Sequence, residues 1–126
     1  MKQLTKAEEQ VMQILWTINE GIVKDVVDNF EDPKPAYTTV ATVFKVLENK
    51  GFVTKRKIGN THLYKPSVSK EDYTKLQFSS LLKNYFNGSF PKMATFFARE
   101  NKLTISELED LLKITEEELK KDSSKQ

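Results

Sequence analysis

The feature that most constrains this chain is a change of period at Gly51. Before it, apolar residues recur at helical spacing. Directly after it come two short β-rich runs, Phe52–Ile58 and Thr61–Lys65, hinged on Gly59-Asn60 and stopped by Pro66. A strand–turn–strand signal of this kind reads as a β-hairpin, with glycine tolerating the positive φ of the turn. From Ser69 onward the pattern is helical again. One hairpin enclosed by helices leaves few folds open to 126 residues, a length that suits one domain, or one small domain with a helical appendage.

The helices announce their ends. Thr5 and Glu8 have capping-box spacing, so a first helix starts at Thr5. Ala7, Val11, Ile14, Leu15 and Ile18 supply its buried stripe, with Trp16 beside it. Asn19-Glu20-Gly21 ends the helix, and Ile22 is placed to form a very short strand. Val23, Val26, Val27 and Phe30 lie on one face of a second short helix. Glu31-Asp32-Pro33-Lys34-Pro35 breaks it, because two prolines in three residues remove donors and disfavour helical geometry before them. A third helix spans about Thr38 to Lys50, with Gly51 as its left-handed C-terminal residue. Ser69 and Asp72 open a long helix that runs to about Phe86 and closes at Asn87-Gly88. A shorter helix follows from Pro91 to Arg99. The last begins at Thr104, capped with Glu107, and carries Leu108, Leu111, Leu112 and Leu119 on one face. The polar tail from Lys120 to Gln126 is expected to fray.

Charge is distributed unevenly along this pattern. The net charge is +2, but residues 1–33 hold three Lys against seven Asp or Glu, net −4. Residues 34–68 hold seven Lys or Arg against one Glu, net +6, and the remainder balances. Concentrated positive charge is the footprint of a phosphate-binding surface, and equally of a solvated basic face. At about 100° per residue, Val40, Val43, Phe44 and Leu47 fall within one arc of the third helix. Thr38, Thr42, Lys45 and Asn49 gather within about 60° on the opposite side. Small hydroxyls with a lysine suit a DNA major groove, where Thr bonds either base type or touches the thymine methyl and Lys reaches guanine or phosphate. Thr38 and Thr39 would also serve as caps, and an exposed polar face is ordinary, so the helix alone does not decide.

Element order raises the first reading. Two short helices, a turn, a polar-faced helix and a basic hairpin make a helix-turn-helix followed by a β wing. The wing of such a module lies along the DNA backbone. That places Lys55, Arg56, Lys57, Asn60, Thr61 and His62 for phosphate or minor-groove contact. Strand alternation puts Lys55 and Lys57 on one face and Arg56 on the other.

The second half reads as an interface. Residues 73–97 contain seven aromatics: Tyr73, Phe78, Tyr85, Phe86, Phe90, Phe96 and Phe97. A few short helices cannot bury these rings and the leucine stripe against one another, so a partner surface is expected. A second copy is the economical choice because twofold dimers are the commonest assemblies. The alternatives are that these helices fold back on the winged helix as an intramolecular core, or that the rings line a ligand pocket. The expected fold is therefore mainly α with a small β wing: a winged helix-turn-helix over residues 1–68 and a helical dimerisation region over 69–126.

Several function classes fall away. With no cysteine, thiol chemistry, disulfides and thiolate metal sites are impossible. One histidine, His62, cannot build a His–His metal pair, and no Ser-His-Asp set is available to the chain. Glycine patterns for a P-loop, a dinucleotide site or a nucleophile elbow are missing. No apolar run approaches the roughly 18 residues of a membrane span, and MKQLTKAEEQ lacks the apolar stretch of a secretory signal. No enzyme activity, cofactor, metal or membrane partner is expected, and the location expected is the cytoplasm.

The run Leu4-Thr5-Lys6-Ala7-Glu8 with Val11-Met12 and Leu15-Trp16 is followed by Tyr37-Thr38-Thr39-Val40 with Thr42 and Leu47. Then come Lys50-Gly51-Phe52-Val53, Gly59 and Tyr64-Lys65-Pro66. Together these residues resemble the penicillinase-repressor family, which includes β-lactamase, methicillin-resistance and copper-responsive repressors. The resemblance implies a homodimeric winged-helix transcriptional repressor on a palindromic operator in double-stranded DNA. Its expected DNA-binding set is Thr38, Thr39, Thr42, Lys45, Lys55, Arg56, Lys57, Asn60, Thr61 and His62. Its expected dimerisation set is Tyr73, Phe78, Tyr85, Phe86, Phe96, Phe97, Leu108, Leu111 and Leu112. Members often carry arginines where this chain has Ala41, Val46 and Asn60, which leaves fewer base-reading candidates. The cysteine-rich tail of the copper-responsive branch is absent. Antibiotic-responsive members are cleaved at an Asn-Phe bond in the C-terminal helices; here Phe96 stands in place of that Asn. Phe96-Phe97 remains a candidate scissile bond for a different regulatory protease. The alternative function is a winged helix used for protein–protein contact, its basic face meeting an acidic partner.

Overall fold

A computed structural model describes residues 3–124. The elements are α1 (Lys6–Ile18), α2 (Val23–Asp28), α3 (Tyr37–Asn49), β1 (Val53–Ile58), β2 (Thr61–Pro66), α4 (Lys70–Phe86), α5 (Phe90–Glu100) and α6 (Ile105–Ser124). The tail expected to fray from Lys120 is helical through Ser124, while Lys125 and Gln126, like Met1 and Lys2, lie outside the described residues.

Local caps set the helix ends. The Thr5 hydroxyl accepts from the Glu8 amide at 3.3 Å, and the Thr5 amide donates to Glu8 Oε1 at 3.1 Å, completing the capping box of α1. The buried side of α1 is rotated from the expected stripe. Glu8, Val11, Met12 and Leu15 are buried, Ile14 and Ile18 lie at the edge, and Ala7 faces solvent. At the end of α2, Lys34 Nζ donates to the Asp28 and Phe30 carbonyls at 2.9 and 2.6 Å, satisfying acceptors that the helix leaves open. The cap of α3 is Ala36, so Thr38 and Thr39 belong to the first turn and do not cap it.

The end of α3 is where helix becomes hairpin. Gly51 has φ +82°, the Phe52 amide donates to the Leu47 carbonyl at 2.9 Å, and the Gly51 amide donates to Glu48 at 3.0 Å. That pair of bonds is a Schellman motif, which needs a residue tolerant of left-handed backbone. β1 and β2 then pair antiparallel with Lys55 opposite Tyr64 and Lys57 opposite His62. A third, one-residue strand joins at Gly21, not at Ile22 as expected. Gly21 exchanges two backbone hydrogen bonds with Tyr64, at 3.0 and 2.8 Å. A Cβ at Gly21 would meet Ile18 Cδ1 at 2.9 Å, so a larger residue here would require the Ile18 side chain to shift.

Phe44, Phe52, Met12, Leu15, Leu47, Val11, Val26 and Val40 form the water-free centre of the first unit. Tyr73 closes it from α4. The ring is 4% exposed, edge-on to Phe52 at 5.6 Å and tilted against Trp16 at 5.8 Å. Its hydroxyl accepts from the Leu4 amide at 3.1 Å. The chain splits into two compact units, Met1–Phe78 and Ser79–Gln126, and the division falls within α4. The first unit is a winged helix-turn-helix. In the second, Ser89 caps α5, Thr104 and Glu107 cap α6, and Phe86 packs against Phe96 at 5.7 Å. None of its described side chains is fully buried.

Candidate nucleic-acid interface

The solvent face of α3 presents Thr38, Thr39, Thr42, Lys45 and Asn49, because Val40, Phe44 and Leu47 are committed to the core on the other side. The Thr42 hydroxyl donates to the Thr38 carbonyl at 2.9 Å. Its proton is therefore spent within the helix, and what it offers outward is a methyl group and acceptor lone pairs. Lys45 is exposed and forms no ion pair among the described residues.

The register of the hairpin sorts the wing cations. Val53, Lys55 and Lys57 share a face with Pro66, Tyr64 and His62. This face packs on α3: the Tyr64 ring stacks on Phe44 with centroids 4.2 Å apart, and Lys55 Nζ is 3.3 Å from Glu48 Oε1. Further out on the same face, Lys57 and His62 stand opposite each other, both exposed. Arg56 points the other way, on the face that carries Ile58 and Leu63. Asn60 is exposed in the turn and Thr61 half-buried beside it. Burial pushes the Tyr64 phenol above its ordinary pKa; the Lys55 ammonium pulls against this, while Glu48 and Tyr37 add to it.

Two residues absent from the expected set stand in this arrangement. Tyr37, 55% exposed, occupies the first turn of α3. Glu48 holds Lys55; it is the one acid within residues 34–68, and that isolation is the signal by which the sequence could have singled it out.

The expected dimerisation residues separate in the same way. Tyr73 is inside the core of the first unit, a correction with a plain cause: its hydroxyl is spent on Leu4 and Gln77, and its ring on Phe52 and Trp16. Phe78, Tyr85, Phe96, Phe97, Leu108, Leu111 and Leu112 are exposed, and Phe86 is half-covered. Leu81, Ile105, Ile114 and Leu119 extend the exposed apolar surface beyond the expected set. Among the described residues there is no cluster of His, Cys, Asp or Glu able to hold a metal, and no helix long and apolar enough to cross a membrane.

A three-helix core whose third helix shows a small polar face, with a cationic hairpin beside it, is a winged-helix DNA-binding domain. The chain belongs to the penicillinase repressor family, whose profile matches residues 4–117. It is 26% identical over 116 residues to the penicillinase repressor of Bacillus licheniformis, covering 91% of each chain. It is 22% identical over 113 residues to the methicillin resistance regulatory protein MecI of Staphylococcus aureus strain N315, covering 89% of this chain and 92% of that one. The solution structure of the DNA-binding domain of the repressor BlaI matches with a TM-score of 0.50 at 25% identity, over 56% of this chain and 88% of that one. The family consists of transcriptional repressors, not enzymes.

Proposed function

We propose that this protein is a homodimeric transcriptional repressor that binds a palindromic operator in double-stranded DNA. The observation that carries this is the face of α3, with Thr38, Thr39, Thr42 and Lys45 in solvent beside a basic hairpin. In this reading α3 enters the major groove and those four residues meet base edges or adjacent phosphates. Arg56, Lys57, Asn60, Thr61 and His62 follow the backbone. Residues 1–68 form the DNA-binding domain and 69–126 the dimerisation domain, with Tyr73 lent to the core of the former. The exposed rings and leucines of the C-terminal helices support a twofold partner, since this many large apolar side chains left in water are costly. Two α3 helices on one axis then meet half-sites roughly 34–36 Å apart, or multiples of that. A repressor of this kind acts in the cytoplasm, where the DNA is.

Release by a regulatory protease near Phe96-Phe97 is part of the proposal. That bond lies in the middle of α5, so an enzyme that needs an extended strand must first unwind this helix. Separation of the dimer would then weaken operator binding without touching a DNA contact.

The test is to select genomic fragments with the purified chain and titrate the selected duplex against random duplex at several salt concentrations. The selected duplex should bind at least about 10³-fold tighter. Equal affinity for every duplex would sink the proposal and favour a protein partner for the basic face.

A further inference from the structure

Glu48 stands where α3 meets the wing, the one acid among seven cations in residues 34–68. At about 100° per residue it lies about a quarter turn from the Thr38–Asn49 face, on the flank shared by Tyr37 and Phe44. Its carboxylate engages Lys55, the cross-strand partner of Tyr64, whose ring is stacked on Phe44. The pair thus bridges the last turn of α3 to the middle of β1. Both side chains remain about a third exposed, at 30% for Glu48 and 36% for Lys55. An ion pair this wet adds little to folding stability. An acid beside a phosphate-facing surface also weakens attraction to DNA of any sequence. Neither stability nor general affinity accounts for its place.

We infer that Glu48 is a positioning residue for operator recognition: it holds Lys55 against α3, fixes the wing relative to that helix, and withholds one cation from the phosphate backbone. The inference rests on the DNA-binding reading above and takes Lys55 out of the phosphate-contact set. Its consequence is selectivity. Binding to random DNA is almost wholly phosphate neutralisation with counterion release, whereas operator binding adds base contacts from α3. Withholding a cation lowers both by the same phosphate contribution, so the selectivity comes from the fixed wing, which holds α3 in register for its base contacts. The cations left to track the backbone are those beyond the pair, Lys57 on the same face and Arg56 on the other.

The experiment uses the full chain, a random duplex and the duplex that the wild-type protein selects. In Glu48→Gln, Lys55 is freed. The slope of log affinity against log salt on random duplex should steepen by about 0.9, a further factor of about 3.5 over a fourfold change in salt. The same steepening should appear on the selected duplex, and preference for it should fall only through the loosened wing, which no longer holds α3 in register. In Glu48→Gln/Lys55→Gln the slope should return to the wild-type value. Amide exchange in β1 and β2 of the free protein should accelerate in both variants. An unchanged slope in Glu48→Gln, a slope shallower by about 0.9 in the double variant, or unchanged exchange in the wing would each overturn the inference. A wild-type chain with no preference among duplexes would overturn the operator reading instead, and that result is read before any variant is compared.

Discussion

Lys50 Nζ lies 2.5 Å from Glu8 Oε1, tying the residue that caps α3 to the first turn of α1. The same carboxylate oxygen accepts from the Thr5 amide, so one buried acid both closes the capping box and anchors the helix that carries the polar face. Burial pushes the Glu8 carboxyl up, but the Lys50 hydrogen bond, the Thr5 amide, the Lys50 charge and the Thr5 hydroxyl together hold it below its ordinary 4.5. A depressed folded-state value contributes stability that is complete above the unfolded pKa and is lost as pH falls through the folded one.

Urea unfolding should therefore show a midpoint that drops below about pH 4.5, and Glu8→Gln should flatten that acid limb. At pH 7 Glu8→Gln should cost about 1–3 kcal/mol. Lys50→Met should cost at least as much, because it leaves the charge buried without its partner. An acid limb of unchanged size in Glu8→Gln would assign it to other carboxylates.

Tyr73→Phe removes a hydroxyl that accepts from Leu4 and Gln77 while preserving the ring contacts with Phe52 and Trp16. It should cost about 1 kcal/mol in urea unfolding. The oligomeric state by sedimentation should not change. A change in self-association would return Tyr73 to the interface.

Tyr73 also shows where a linear reading stops. Aromatic residues from 73 to 97 look alike in sequence, and what separates the first of them is long-range. Trp16 Nε1 donates to the Val68 carbonyl at 2.9 Å and the Ser67 amide to Phe52 at 2.9 Å, which bring the start of α4 onto the core. The caps at Thr5, Ser69 and Thr104 were legible because each is closed by a residue three positions away. The polar face of α3 was legible because the period of one helix sets it. The buried side of α1 was displaced from Ala7 toward Met12 because its neighbours, not its period, choose the final few tens of degrees. The Glu48–Lys55 pair was hidden for the same reason: it depends on how a hairpin leans on a helix.

Gly51→Ala tests the helix-to-hairpin junction. No atom lies within 4 Å of a Cβ built there, so the cost is confined to the φ of +82°. Left-handed backbone costs a non-glycine residue about 1–2 kcal/mol, and Gly51→Asn should recover part of that loss. An alanine variant as stable as wild type in urea would mean that the Schellman turn is not maintained in solution.

Two lysines should separate base reading from backbone contact. Lys45→Met should relax discrimination among related duplexes by on the order of 1–3 kcal/mol if its ammonium meets a guanine edge. Lys57→Gln should weaken every duplex alike and make the salt slope shallower by about 0.9. Both follow from competitive titrations of selected and mismatched duplexes. A Lys57 variant with altered sequence preference would place the wing tip in a groove, away from the backbone.

Leu112 is 60% exposed on α6, beside Leu108 at 40% and Leu111 at 55%. Among the described residues nothing buries that stripe, so in the proposed dimer a charge at its centre should act through the second copy. Leu112→Glu should sediment as a monomer at concentrations where wild type is dimeric, with the thermal transition of the winged helix unmoved. Affinity for a single half-site should persist. Affinity for the full palindrome should fall by about 10²–10⁴, because the second α3 no longer benefits from the effective concentration that linkage provides. A variant that remains dimeric would move the twofold contact to α5, and a wild-type chain that stays monomeric while still preferring the palindrome would remove the dimer from the mechanism.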